Sequence, residues 1–176
     1  LVLGFGPMEA KHAYRIGKAE AGVFAKAGTG LFRHLREVRV KDAKLLGELK
    51  AGDVLTVDKI FKVNQRIDVS GITKGRGFTG VVKKWGMKGA ARDSSTSHEH
   101  HRHIGAIGQR KTPGKVWKGK HLPGHYGTDS VTIQNLTVVG IEPEHNALLV
   151  QGAVPGHADG LLFVSTAAKG QPKAKV

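Results

Sequence analysis

The chain has 176 residues, 39% of them hydrophobic and 24% charged; 28 Lys and Arg stand against 14 Asp and Glu, giving a formal net charge of +14 and a pI near 10.2. That length and apolar content suit one modest domain, or one domain with an extension, and the charge points to a polyanionic partner, nucleic acid before an anionic membrane surface. The absence of cysteine excludes disulfide frameworks, thiolate catalysis and cysteine zinc sites and fits a reducing compartment; no apolar run approaches membrane-spanning length.

Leu1 opens the sequence inside an apolar run without an initiator methionine or a visible secretory signal, which reads as a truncated or processed start. Leu1 to Gly6 has the character of a strand end. Pro7 to Gly17 is polar, and Lys18 to Ala27 fits a short helix ended by Gly28 and Gly30. Leu31 to Val40 alternates Leu31, Leu35 and Val38 with Arg33, Arg36 and Arg39, as a strand or irregular barrel edge does. Leu45 to Ala51 leads to a turn at Gly52-Asp53, and Val54, Leu55, Val57 and Ile60 then form a β-rich run. From Gln65 to Ile72, Ile67, Val69 and Ile72 face one side, with Arg66, Asp68 and Ser70 opposite.

Ser130 to Glu142 is the strongest strand pattern, and Ala147 to Val154 returns after the turn Pro143 to Asn146, giving a hairpin. The glycosylation triplet Asn135-Leu136-Thr137 lies in this strand and is discarded. Pro155 to Gly160 is a loop, Leu161 to Val164 a short last strand, and Ala167 to Val176 a solvated tail. The expected fold is mainly β: a small β-barrel with short helices and a long basic, largely irregular extension inserted between two adjacent strands.

That extension runs from Lys74 to Lys120. It holds twelve of the 28 Lys and Arg residues against two acids, Asp93 and Glu99, and both tryptophans. Between Gly86 and Lys115 there is almost no apolar periodicity, so it cannot bury a core of its own and is expected to order on a polyanion. Gly75 to Gly80 matches the dinucleotide fingerprint in letters, but no βαβ unit surrounds it and the only acid at the right distance, Glu99, lies in a histidine-rich loop. The same glycines suit close approach to a folded RNA backbone, surrounded by Lys74, Arg76, Lys83, Lys84 and Lys88. A glycine-permitted bend leaving the barrel is compatible with this RNA-facing reading.

His98, Glu99, His100, His101, Arg102 and His103 miss the metalloprotease pattern, because its fifth position here is Arg102. A structural zinc site built only of histidines among cations would oppose its own electrostatics, so no metal is expected and the histidines are assigned to bases, riboses or phosphates. Gly108 to Lys120 places Gln109, Arg110, Lys111, Lys115, Lys118 and Lys120 around a Thr-Pro-Gly turn. Trp117 is either a core residue or a stacking platform in this run. Trp85 and Arg92 complete the candidate RNA-binding set. Nothing in the chain pairs a nucleophile with a base and an orienting acid, so catalysis is not expected.

The segment Ile67 to Trp85 (IDVSGITKGRGFTGVVKKW), with His103 to Lys120 (HIGAIGQRKTPGKVWKGK), Val131 to Leu136 and Leu149 to Gly156, resembles the universal large-subunit ribosomal protein L-three family in its bacterial form, with order and spacing agreeing from about Phe24 to Val164. The resemblance implies a translation-protein-type barrel formed by residues 1–73 and 121–166, an rRNA-penetrating extension over residues 74–120 and a flexible tail over residues 167–176. It also implies 23S-type rRNA and neighbouring large-subunit proteins as partners, a role in early subunit assembly, and an extension whose tip, Gly105 to Lys111, approaches the peptidyl-transferase centre. Gln109 stands where some bacterial members carry a methylated glutamine and is a candidate methylation position. No cofactor, small-molecule substrate or membrane is implied, and the expected location is the cytoplasmic ribosome or that of an organelle of bacterial descent. The family's N-terminal strand with its Gly-Met-Thr signature is missing from the sequence, and Gly86 to Glu99 departs from the family pattern.

Overall fold

Phe24 and Phe32 meet with ring centroids 6.0 Å apart, and the first of two compact units, Leu1–Thr56, is organised on that contact. The structure, a computed structural model, describes residues 1–40, 49–90 and 98–170. In this unit β1 (Val2–Pro7) pairs antiparallel with β2 (Phe32–Glu37), Val2 lying opposite Glu37 and Pro7 opposite Phe32. Between them lie a 3-10 helix at Ala10–Arg15 and α1 (Lys18–Ala27). Gly28 ends α1 in the left-handed conformation at φ 67°, its N–H donating to the carbonyl of Ala25, as a glycine C-cap does. The expected helix and both expected strands are present; residues 45–48 of the run that precedes the Gly52 turn lie outside the described residues.

The second unit, Val57–Val176, begins with a departure from the sequence expectation. Val57–Ile60 is not part of a β-run but one short helical turn, α2. Val57 and Phe61 are four apart, so a helical turn lays both on the core, whereas an extended chain would separate them. Phe61 is buried there with Ile67, Val69 and Val138. The N–H of Val57 also donates to Asn146 Oδ1 at 2.8 Å, tying α2 to the distant hairpin turn.

The core lies on a four-stranded antiparallel sheet of order β7-β6-β3-β8. Its strands are β3 (Arg66–Ile72), β6 (Ser130–Glu142), β7 (Ala147–Gln151) and β8 (Leu162–Thr166), counted past the short ribbon strands β4 (Gly77–Thr79) and β5 (Gly124–Tyr126). Ile67 and Val69 are 0% and 1% exposed, each burial stabilising the fold by about 1.5–3 kcal/mol. Leu136, Leu148, Val150, Leu162 and Val164 pack against them from the neighbouring strands.

Burial at three further positions goes beyond what strand alternation gives. Asp68, a charged residue placed on the face opposite Ile67 and Val69, is 7% exposed, because β8 and the residues after it cover that side. Ile72, grouped with Ile67 and Val69, is exposed at the strand end. Ala167, placed in a solvated tail, is buried, and its N–H donates to the Arg66 carbonyl at 3.1 Å. The described strands form open sheets of two, four and two strands and do not close into a barrel.

Residues 73–129 leave from the end of β3 and return at the start of β6. These two strands are direct partners, Ile72 lying opposite Ser130. The basic segment is therefore held at both ends by adjacent hydrogen-bonded strands.

Candidate nucleic-acid interface

The ladder of β3 and β6 continues into the basic segment. Thr73 N–H donates to the Asp129 carbonyl at 2.9 Å, Thr128 N–H to the Thr73 carbonyl at 3.2 Å, and Asp129 N–H to Thr73 Oγ1 at 3.1 Å. At Gly127 the strands come so close that a Cβ would stand 2.1 Å from the Lys74 carbonyl oxygen, and its φ is +82°; only glycine fits both conditions. Beyond this crossing β4 and β5 pair, Gly77 lying opposite Tyr126 and Thr79 opposite Gly124. Lys74, Arg76 and Lys83 share a groove of about 560 Å³ with Tyr126 at this root. Of the fingerprint glycines Gly77 thus lies in an antiparallel ribbon, with Gly75 and Gly80 flanking its strand, and every strand pair among the described residues is antiparallel, which leaves the dinucleotide reading without its βαβ unit.

Phe78 and Thr79 belong to β4, and a short helix, α3, follows over Val81–Trp85, with Gly86 at φ 69° closing it. Val81 is buried. Trp85 clamps the return of the segment: its Nε1–H donates to the Leu122 carbonyl at 2.9 Å, and its ring stacks on His121 at 4.0 Å with an interplanar angle of 4°. Lys84 Nζ lies 5.1 Å from the same ring centroid, a cation–π distance. Lys83 and Lys88 project into solvent.

The histidines are divided by their surroundings. His101 is half-buried with its Nδ1 shut off from solvent and unpartnered, and its carbonyl accepts the Ala90 N–H at 3.2 Å. His100 and His103 are exposed and their Nδ1 atoms lie 3.3 Å apart. Arg102 is exposed beside them. Arg92 lies outside the described residues, and His98 is described by its backbone alone. No group of three or more His, Asp or Glu side chains gathers as a metal site among the described residues.

From Gly105 to Lys120 every residue is exposed, which includes Gln109, Arg110, Lys111, Lys115, Lys118 and Lys120. Trp117 is 64% exposed, with Lys115 Nζ 4.8 Å from its ring centroid, so the core alternative for this residue is set aside. No described carboxylate lies within ion-pairing distance of any described Lys or Arg between residues 74 and 120. Its described part is a concentration of like charge that no described carboxylate neutralises.

Sequence reasoning passed over Phe78, 80% exposed on β4, and His125, its partner across the ribbon. An aromatic set between glycines and cations was the available signal, the same one that marks Trp117. His121 was missed because nothing in the sequence announces that Trp85 stacks on a residue 36 positions away.

Residues 42–147 match the model of the family described as Ribosomal protein L3. Over 175 residues, 99% of this chain and 74% of the relative, the chain is 79% identical to large ribosomal subunit protein uL3 of Anaeromyxobacter dehalogenans. It is 43% identical to the protein of that name from Myxococcus xanthus over 99% of this chain and 76% of the relative. With the one from Aquifex aeolicus it shares 46% identity over 92% of this chain and 65% of the relative. The chain belongs to the ribosomal protein L3 family, in its bacterial form.

Proposed function

We propose that this chain is a structural constituent of the large ribosomal subunit that binds 23S-type rRNA, works in the cytoplasmic ribosome and catalyses nothing itself. The observation that carries this is the positive charge of residues 74–120, unpaired among the described residues and mounted on a stem that two core strands hold. A flexible polycation would bind RNA without position; one rooted in a sheet fixes where its charges enter. Phosphate contacts fall to Lys74, Arg76, Lys83, Lys84, Lys88, Arg92, Arg102, Arg110, Lys111, Lys115, Lys118 and Lys120. The histidines at 98, 100, 101 and 103, with Gln109, Trp85 and Trp117, contact bases and riboses.

In the same reading the four-stranded sheet is one wall of a closed translation-type barrel seated at the subunit surface, and the segment from 74 to 120 threads inward. Gly105 to Lys111 then approaches the peptidyl-transferase centre, and Gln109 is open to methylation. Binding early, through the barrel and the stem, lets the protein nucleate subunit assembly beside neighbouring ribosomal proteins. The test is stoichiometry in cell extracts: one copy per large subunit after sedimentation through moderate salt is expected. Substoichiometric association, with most of the protein elsewhere, would point to a free-standing RNA chaperone instead.

A further inference from the structure

His103 N–H donates to the His100 carbonyl at 3.1 Å, closing a turn directly after the 3-10 helix His98–His100. In such a turn residues three apart come to one side, so the two imidazoles face each other. Their Nδ1 atoms are 3.3 Å apart, their centroids 5.1 Å apart and their planes at 81°. A metal–imidazole bond of about 2.0–2.1 Å at a tetrahedral angle sets two donor nitrogens about 3.3 Å and the ring centroids about 5.2 Å apart. Two rings joined end-on by a straight N–H···N bond of the same length would hold their centroids about 5.6 Å apart. The observed pair has the spacing of two ligands on one ion, a spacing that two rings sharing a bent N–H···N bond also have.

We propose that His100 and His103 form a two-ligand site for a divalent first-row transition ion of the zinc class. Imidazole suits zinc, copper and nickel and leaves magnesium and calcium to oxygen donors. No third His, Asp or Glu among the described residues joins the pair, so water fills the remaining positions in the free protein. This openness separates the site from the closed all-histidine centre that the surrounding cations oppose, because the ion keeps part of its hydration. Both rings bind as neutral Nε2–H tautomers: the proton shared between the Nδ1 atoms moves to Nε2 through solvent, and the hydrated ion sheds waters until the two imidazoles and the waters that remain form a tetrahedral set. The turn is held by the contact of Ala90 with His101, and the pair borders a groove of about 660 Å³ lined also by Met87, Arg102 and Ile104.

The experiment is titration of the full chain with cobalt(II), which reports tetrahedral coordination by its visible absorption, with zinc competing it away. One ion per chain is expected. His100→Ala and His103→Ala should each weaken binding more than about tenfold, since each removes one of two protein donors, whereas His145→Ala, in the exposed hairpin turn, should leave it unchanged. Imidazole resonances of the unsubstituted chain give a second readout independent of variant folding: on adding zinc, those of His100 and His103 should shift together. Absence of binding, binding unchanged by both substitutions, or shifts confined to other histidines would overturn the proposal.

Discussion

Asp68 Oδ1 accepts the backbone N–H of Asn135 at 2.9 Å, while Oδ2 accepts that of Ala168 at 3.1 Å. Between Ile67 opposite Leu136 and Val69 opposite Ile133, β6 carries two residues against one. Asn135, at φ 61°, lies in this bulge, a conformation that asparagine tolerates. One buried carboxylate thus satisfies the N–H that the bulge frees and fastens the chain beyond β8. We predict that Asp68→Ala lowers unfolding free energy by about 2–4 kcal/mol, because two donors lose their acceptor. Urea unfolding measures it; a change below about 0.5 kcal/mol would show that water replaces the carboxylate without loss.

Gly127→Ala is expected to disrupt the root of the basic segment. The added Cβ meets the Lys74 carbonyl oxygen, and φ is +82°, so the backbone must move at a cost of about 1–3 kcal/mol or more. Amide exchange should quicken at Thr73, Arg76, Thr128 and Asp129, whose N–H groups form the stem bonds, while the β6–β7 hairpin stays protected. Unchanged exchange at those four amides would contradict the close crossing.

Replacing Trp85 should loosen the segment in two steps. Trp85→Phe keeps a ring for His121 but loses the bond to the Leu122 carbonyl, a loss of about 0.5–1.5 kcal/mol. Trp85→Ala loses both. Exchange at the Lys84 and Gly86 amides, which close α3, should rise in that order, and equal rates in both variants would refute the role of the stack.

RNA affinity should depend steeply on salt. With about 6–10 phosphates neutralised, binding should fall about 10³–10⁵-fold between 50 and 200 mM salt. Lys111→Ala and Lys115→Ala should each reduce the slope of log affinity against log salt by about one. A slope that neither substitution alters would remove both lysines from the interface.

Elements whose signal is local were legible in the sequence. Helix α1 carries its own stop in Gly28, and β6 with its hairpin turn spells out strand, turn and strand. Val57–Ile60 was misread because β-branched residues outweighed the four-residue spacing of Val57 and Phe61, which has meaning only once a core stands beside it. The burial of Asp68 and Ala167 arises from pairing across about 100 residues, and alternation within one strand says nothing of what covers its second face. The candidate interface was legible as composition, since charge density needs no partner to be read. Its internal clamp, Trp85 on His121, was not, because stacking depends on how the segment doubles back.

The most direct test of the central claim is ultraviolet crosslinking in cells, with sequencing of the attached RNA and mapping of the crosslinked peptides. We predict crosslinks from the region of Gln109 to the peptidyl-transferase domain of the large-subunit rRNA, and from the sheet and stem to the 3′ part of that RNA. Crosslinks scattered over many cellular RNAs, with little large-subunit signal from residues 74–120, would contradict the account.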